Sequence, residues 1–170
     1  MPIPRTRPGL TAGERSQLVG WLDLQRSVVQ WKCEGVSEED AHRSVLPDSP
    51  LMTVAGIVSH LRWTEHCWFQ VMFLNHPASS NPQFGDADDE DFRTHGAPLS
   101  QLLLDYDREC AASNEVIAAH ELGETGRNGK FRSGPASLRW MVLHMVEETA
   151  RHAGHLDTIR ELLDGETGYY

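Results

Sequence analysis

The stretch EETARHAGHLD, residues 147–157, packs two carboxylates and two imidazoles into one short segment. Carboxylate oxygens and neutral imidazole nitrogens are ligands for divalent metals, whose charge stabilises both donor types at once. If the segment is helical, each residue advances about 100°, and His144, Glu148, His152 and His155 then fall within an arc of about 80°. The i, i+4, i+8, i+11 spacing stacks them on one face. Met141, Met145, Ile159 and Leu163 share that sector, whereas Arg139, Arg151 and Glu161 lie opposite. The polar cluster therefore belongs to a core-facing side. A carboxylate and several imidazoles buried there without partners would cost several kcal/mol, so a compensating ion is expected.

A further ligand must come from another helix. In the segment 53–75, His60 shares a face with Ile57, Thr64, Cys67, Trp68 and Val71, while Glu65 and His66 point elsewhere. His60 sits two turns into its helix and His152 three turns before the end of its own. An antiparallel arrangement brings both to within a turn of the same height. The expected metal set is His60, Glu148 and His152. Two histidines and a carboxylate leave a coordination position open, as catalytic zinc sites do. Zn²⁺ is the first expectation; Ni²⁺, Fe²⁺ and Mn²⁺ accept the same donors.

His155 and His144 are candidates for a base or for a partner that holds a ligand, and His155 also for a ligand. A core histidine such as His144 is more commonly satisfied by a local hydrogen bond. Glu147 points away and reads as solvated. Cys67 is either a nucleophile or a soft ligand, or simply a small apolar core residue. The acidic run DADDED lacks calcium-loop spacing and reads as a solvated loop. There is no P-loop, nucleophile elbow or dinucleotide-binding glycine pattern.

Four long helices are predicted to position these groups. The first spans residues 12–34, opened by a Thr11–Glu14 capping box, with Leu18, Trp21, Leu22, Gln25, Val28 and Val29 inward. The second spans 53–75, started by Ser49-Pro50 and stopped by Pro77. The third spans 99–122, with Leu99, Leu103, Tyr106, Cys110 and Ile117 inward. The fourth spans 137–163, between Gly134-Pro135 and Gly165. The connection 76–98 is longer than neighbouring antiparallel helices need and suits a crossover along the whole bundle. A second connection, 123–135, is glycine-rich, reads as mobile, and holds Arg127, Lys130 and Arg132, candidates for binding an anionic substrate group. The expected fold is all-α, an up-down-down-up four-helix bundle in one domain over residues 1–170.

With 170 residues, the chain is long enough to bury a substantial core. Its net charge of −10 argues against binding nucleic acid or an anionic membrane, both of which need a cationic surface. The apolar stretch 51–74 is interrupted by His60, Arg62, Glu65 and His66 and is no membrane span. MPIPRTRPGL has no apolar signal core. Cys33, Cys67 and Cys110 are odd in number and fall inside helical patterns, which suits reduced, buried thiols in a cytoplasmic protein. Trp31 lies off the inward stripe of the first helix and is a candidate for a homodimer surface.

With VSHLRWTEHCWF on the second helix and LRWMVLHMVEETARHAGHLD on the fourth, the chain resembles the DinB-like superfamily. It is most similar to the actinobacterial branch that includes the metal-binding domain of mycothiol-dependent maleylpyruvate isomerase. The marks are His-Leu in the second helix, H-x-x-x-E-x-x-x-H-x-G in the fourth, and the trailing DGETG. The resemblance implies the up-down-down-up bundle and a divalent metal on His60, Glu148 and His152. Glu at position 148 follows the isomerase pattern, since many DinB-like proteins have His there. His155 stands where the family often has Gln, which leaves the number of ligands open. Relatives are thiol-dependent transferases or isomerases.

The leading expectation is thus a metal-dependent transferase or isomerase that uses a mycothiol-like low-molecular-weight thiol against a small electrophile. Metal-dependent hydrolysis, a non-catalytic metal-binding stress protein, and a metal-free bundle are the alternatives.

Overall fold

The computed structural model describes residues 5–128 and 134–168. Among these the chain is helical with no strand; an isolated antiparallel bridge joins Thr125 to Ser137. The α-helices are α1 (Glu14–Cys33), α2 (Glu38–His42), α3 (Val54–Glu65), α4 (Leu99–Ala119) and α5 (Leu138–Asp164). A π-helix, His66–Phe73, continues α3, and three short 3₁₀ turns lie between it and α4. No helix among the described residues is long and apolar enough to cross a membrane.

The chain divides into two compact units, Met1–Ile57 with Val142–Tyr170, and Val58–Met141. In the first, α1 begins at Glu14 behind Gly13, which offers no side-chain cap, so the expected Thr11–Glu14 box does not form. The core face of α1 holds Leu22, Gln25, Val28 and Val29 as expected, and Trp21 sits at its edge, 37 % exposed. Arg26, which no apolar pattern marks, is wholly buried and pairs with Asp23 at 2.9 Å. Gly35 ends the helix in a left-handed conformation (φ 74°) that a side chain would resist. Arg160 of α5 donates from Nη1 to the Lys32 and Glu34 carbonyls at 2.6 and 3.1 Å, which satisfies the orphan acceptors at the end of α1. Trp31 is covered by the Arg5 guanidinium, 4.0 Å from its ring centre, rather than left bare. The short α2, not anticipated, is capped by the Ser37 hydroxyl, which accepts the Asp40 amide at 3.0 Å.

The expected single helix 53–75, most of which lies in the second unit, proves to be two kinds of helix. Thr53 Oγ1 accepts the Gly56 amide at 3.0 Å and opens α3. Beyond Glu65 the pitch widens to i→i+5, shown by the Leu74 amide bonding the Phe69 carbonyl at 3.2 Å. The wider pitch suits its neighbours. The Arg127 and Asn128 amides donate to the Phe73 and Met72 carbonyls at 2.9 and 3.1 Å, and Asn128 Nδ2 reaches the Val71 carbonyl. Gly126 permits this approach, because a Cβ there would lie 2.7 Å from the Met72 carbonyl oxygen. Within the glycine-rich connection, Glu124, Gly126, Arg127 and Asn128 are therefore tied down by backbone bonds. Along α4 the buried side is Leu99, Leu102, Tyr106, Cys110, Ser113, Val116 and Ile117, close to the expected stripe.

Candidate metal centre

On α5 the buried side runs through Leu138, Val142, Met145, Thr149, His152, Leu156 and Ile159, with Arg151 and Glu161 exposed. Periodicity thus placed His152 correctly at the centre of the core face. Glu148 and His155 flank it and are half-buried. Glu148 Oε1 lies 3.3 Å from His152 Nε2, and the opposite nitrogen of His152, Nδ1, is 3.5 Å from His155 Nδ1. His155 is held below its ordinary pKa by burial, then by the His152 and Arg151 charges, against the pull of Glu148.

One ligand atom from each of His60, Glu148 and His152 lies within 4.8 Å of the others. Among the described residues these are the histidine, cysteine and carboxylate groups that come together in this way. Two imidazole nitrogens and a carboxylate oxygen, on partly or wholly buried side chains, are a donor set that fits a first-row divalent ion. His144 pairs instead with Glu147 at 3.6 Å, and Glu147 is exposed as expected.

Sequence reasoning missed what surrounds His60. Asp91, the last residue of the acidic run, is buried at 7 % exposure, which corrects the expectation of a wholly solvated loop. Its Oδ2 lies 2.6 Å from His60 Nδ1 and accepts Gln83 Nε2 at 2.7 Å. Burial pushes the Asp91 carboxyl up, but the hydrogen bonds from His60 and Gln83, with the His60 charge, outweigh it and hold it below the usual carboxylate range. Phe92 stacks on the His60 imidazole, ring centres 4.1 Å apart at 13°. A hidden signal was present: an aspartate next to an aromatic residue at the end of a charged run need not share the run's solvation.

Glu65, which the helical repeat sets off the His60 face, is fully buried. Cys67 is half-buried rather than buried, and burial first, then the Asp91 charge, pushes its thiol up to about 12. Such a thiol stays protonated and is a poor nucleophile. Cys33 and Cys110 are buried, and none of the three cysteines is in a disulfide. Arg127 is exposed with its amide engaged by Phe73, while Lys130 and Arg132 lie outside the described residues.

The mycothiol-S-transferase family matches residues 17–165, which takes in both helices that carry the three ligand candidates. No curated protein and no solved structure gives a significant match. With nearly all of its length matched, the chain belongs to the mycothiol-S-transferase family.

Proposed function

We propose that this protein is a metal-dependent transferase in which His60, Glu148 and His152 hold a divalent ion, Zn²⁺ foremost, and mycothiol is the thiol substrate. The observation that carries the reading is the convergence of the three donors within 4.8 Å, joined to membership of a family named for transfer to mycothiol. When bound, such an ion supplies positive charge that lowers the pKa of a thiol or water at its open position toward neutrality. The chain's own part is to present two neutral imidazoles and one carboxylate. That set carries a single negative charge and leaves the site net positive for an incoming thiolate. In the transfer, a C–S bond forms at the electrophilic carbon as its leaving group departs, and the thiol proton passes to solvent.

The four long helices are read as an up-down-down-up bundle, with 76–98 as its crossover, in one domain over 1–170. The continuity of α3 and α5, each of which contributes to both compact units, supports a single domain. Three cysteines outside any disulfide suit a reducing cytoplasm. Glu148, where many DinB-like proteins have His, supports a reading nearer the isomerase branch.

The test is to purify the protein without tag or chelator, measure metal per chain, and follow consumption of mycothiol with monobromobimane and with an aryl halide. Near-stoichiometric metal and thiol consumption above the uncatalysed rate are expected. Metal without thiol consumption would leave a metal-binding or hydrolytic protein, and no metal even after loading would sink the catalytic reading.

A further inference from the structure

The loop between the π-helix and α4 sends one carboxylate back to the metal-site histidine of α3. Asp89 takes a left-handed backbone (φ 57°) and opens the 3₁₀ turn Glu90–Phe92, which turns Asp91 inward. Asp91 then meets α3 at two levels. Its backbone carbonyl accepts the Ser59 hydroxyl at 2.7 Å, and its side chain meets His60 Nδ1 at 2.6 Å. Gln83 fixes that carboxylate from the other side, donating from Nε2 to Asp91 at 2.7 Å and to Thr64 Oγ1 at 3.0 Å. Phe92 closes the face of the ring. The imidazole is thus held at Nδ1 and on one face, and its Nε2 lies 3.5 Å from Thr64 Oγ1.

A neutral imidazole carries one ring proton, and an ionised carboxylate can only accept. A carboxylate on Nδ1 therefore keeps the proton there and leaves the lone pair on Nε2. We propose that Asp91 is a positioning residue for the metal centre: it fixes His60 in the Nδ1–H tautomer and sets the direction of Nε2, with Gln83 holding the carboxylate in place. The loop does not need the carboxylate merely to stay docked. The Asp91 carbonyl bond to Ser59 is independent of its side chain, and the buried Asn81 pins the loop separately through Nδ2 to the Trp63 carbonyl at 3.0 Å. Loss of the carboxylate should release the ring more than the loop.

This inference rests on the metal reading, so its test separates the two. Histidine ring tautomers are read by ¹⁵N–¹H correlation spectra of the metal-free protein at pH 8, in wild type, Asp91→Asn, Asp91→Ala and Gln83→Ala. Zinc affinity of the same four proteins is measured by chelator competition. Wild type should show Nδ1–H at His60, and Asp91→Ala should move that ring toward the Nε2–H form. Zinc affinity should fall about 10–100-fold in Asp91→Ala, the loss typical when a ligand's hydrogen-bond partner is removed, and less in Asp91→Asn and Gln83→Ala. Should Asp91→Ala fail to fold, the near-isosteric Asp91→Asn and the exposed Gln83→Ala carry the test. A wild-type His60 with Nε2–H or with both nitrogens protonated overturns the proposal, as do unchanged tautomer and affinity in the variants. No zinc uptake by wild type overturns the metal reading itself.

Discussion

Glu148 Oε1 and His152 Nε2 stand 3.3 Å apart, one turn from each other on α5. Spacing of four residues makes this contact a property of the helix itself. Removing either group therefore removes a proposed ligand without disturbing how the helix is built. Glu148→Gln and His152→Ala should each reduce bound zinc to a small fraction of the parent's value, with far-ultraviolet circular dichroism unchanged. Retention of full metal content by His152→Ala would exclude the three-residue site.

Metal removal should lower thermal stability. An ion present at about 100 times its Kd stabilises the folded state by about 2.7 kcal/mol. For a chain of this size that corresponds to a Tm shift of about 5–10 °C. Differential scanning calorimetry before and after chelation measures it. His60→Ala should melt at one temperature with or without zinc; a zinc-dependent shift that survives in this variant would place the stabilising ion elsewhere.

Glu109 on α4 gives a stability that depends on pH. Burial, then the nearby Glu65 charge, pushes its carboxyl from 4.5 up to about 7, against the pull of Arg62. A folded-state pKa above the unfolded one means that the folded form binds this proton more tightly. The contribution is present below about pH 4.5 and is lost as pH rises through about 7. Glu109→Gln removes the penalty of ionisation, so it should match the parent at pH 5 and exceed it at pH 8. The gain should be about 1 kcal/mol, allowing for solvent screening at a half-exposed site. Urea midpoints at the two pH values decide it, and a variant that gains nothing at pH 8 counts against the shift.

Gly126→Ala should destabilise by about 1–3 kcal/mol, because overpacking against a fixed backbone carbonyl forces the chain to move. The new Cβ would sit 2.7 Å from the Met72 oxygen and 2.9 Å from the Met141 methyl. Gly123→Ala is the matched control, since nothing lies within 4 Å of a Cβ at that position. Equal melting temperatures for the two variants would show that the connection can yield.

Cys67 should be inert. With its thiol pushed up to about 12, iodoacetamide at pH 8 should label it only after unfolding in urea, as read by mass spectrometry. Cys67→Ala should retain metal and thiol-transfer activity. Rapid native labelling would revive Cys67 as a nucleophile.

Much of this was legible in the residues alone. The helical repeat of α5 set Glu148 and His152 one turn apart and aimed His152 at the core, because side-chain direction in a regular helix follows from residue number. The same arithmetic served His60, which lies within the regular turns of α3. It did not foresee that Glu65, at the last residue of α3, is buried, since an apolar stripe says nothing of a buried carboxylate on another side of the same helix.

What only tertiary structure decided has one physical cause: it depends on partners distant in sequence. The π-helix His66–Phe73 ends where amides from residues 127 and 128 take its carbonyls, so local pattern carried no sign of its pitch. Asp91 looked like one more solvated acid in DADDED, and its burial is set by Ser59, His60 and Gln83. Sequence alone determined which groups could bind a metal and which helices carry them, through the period of the helix. The fold decided how His60 is held, because a hydrogen bond across 31 residues has no period to read.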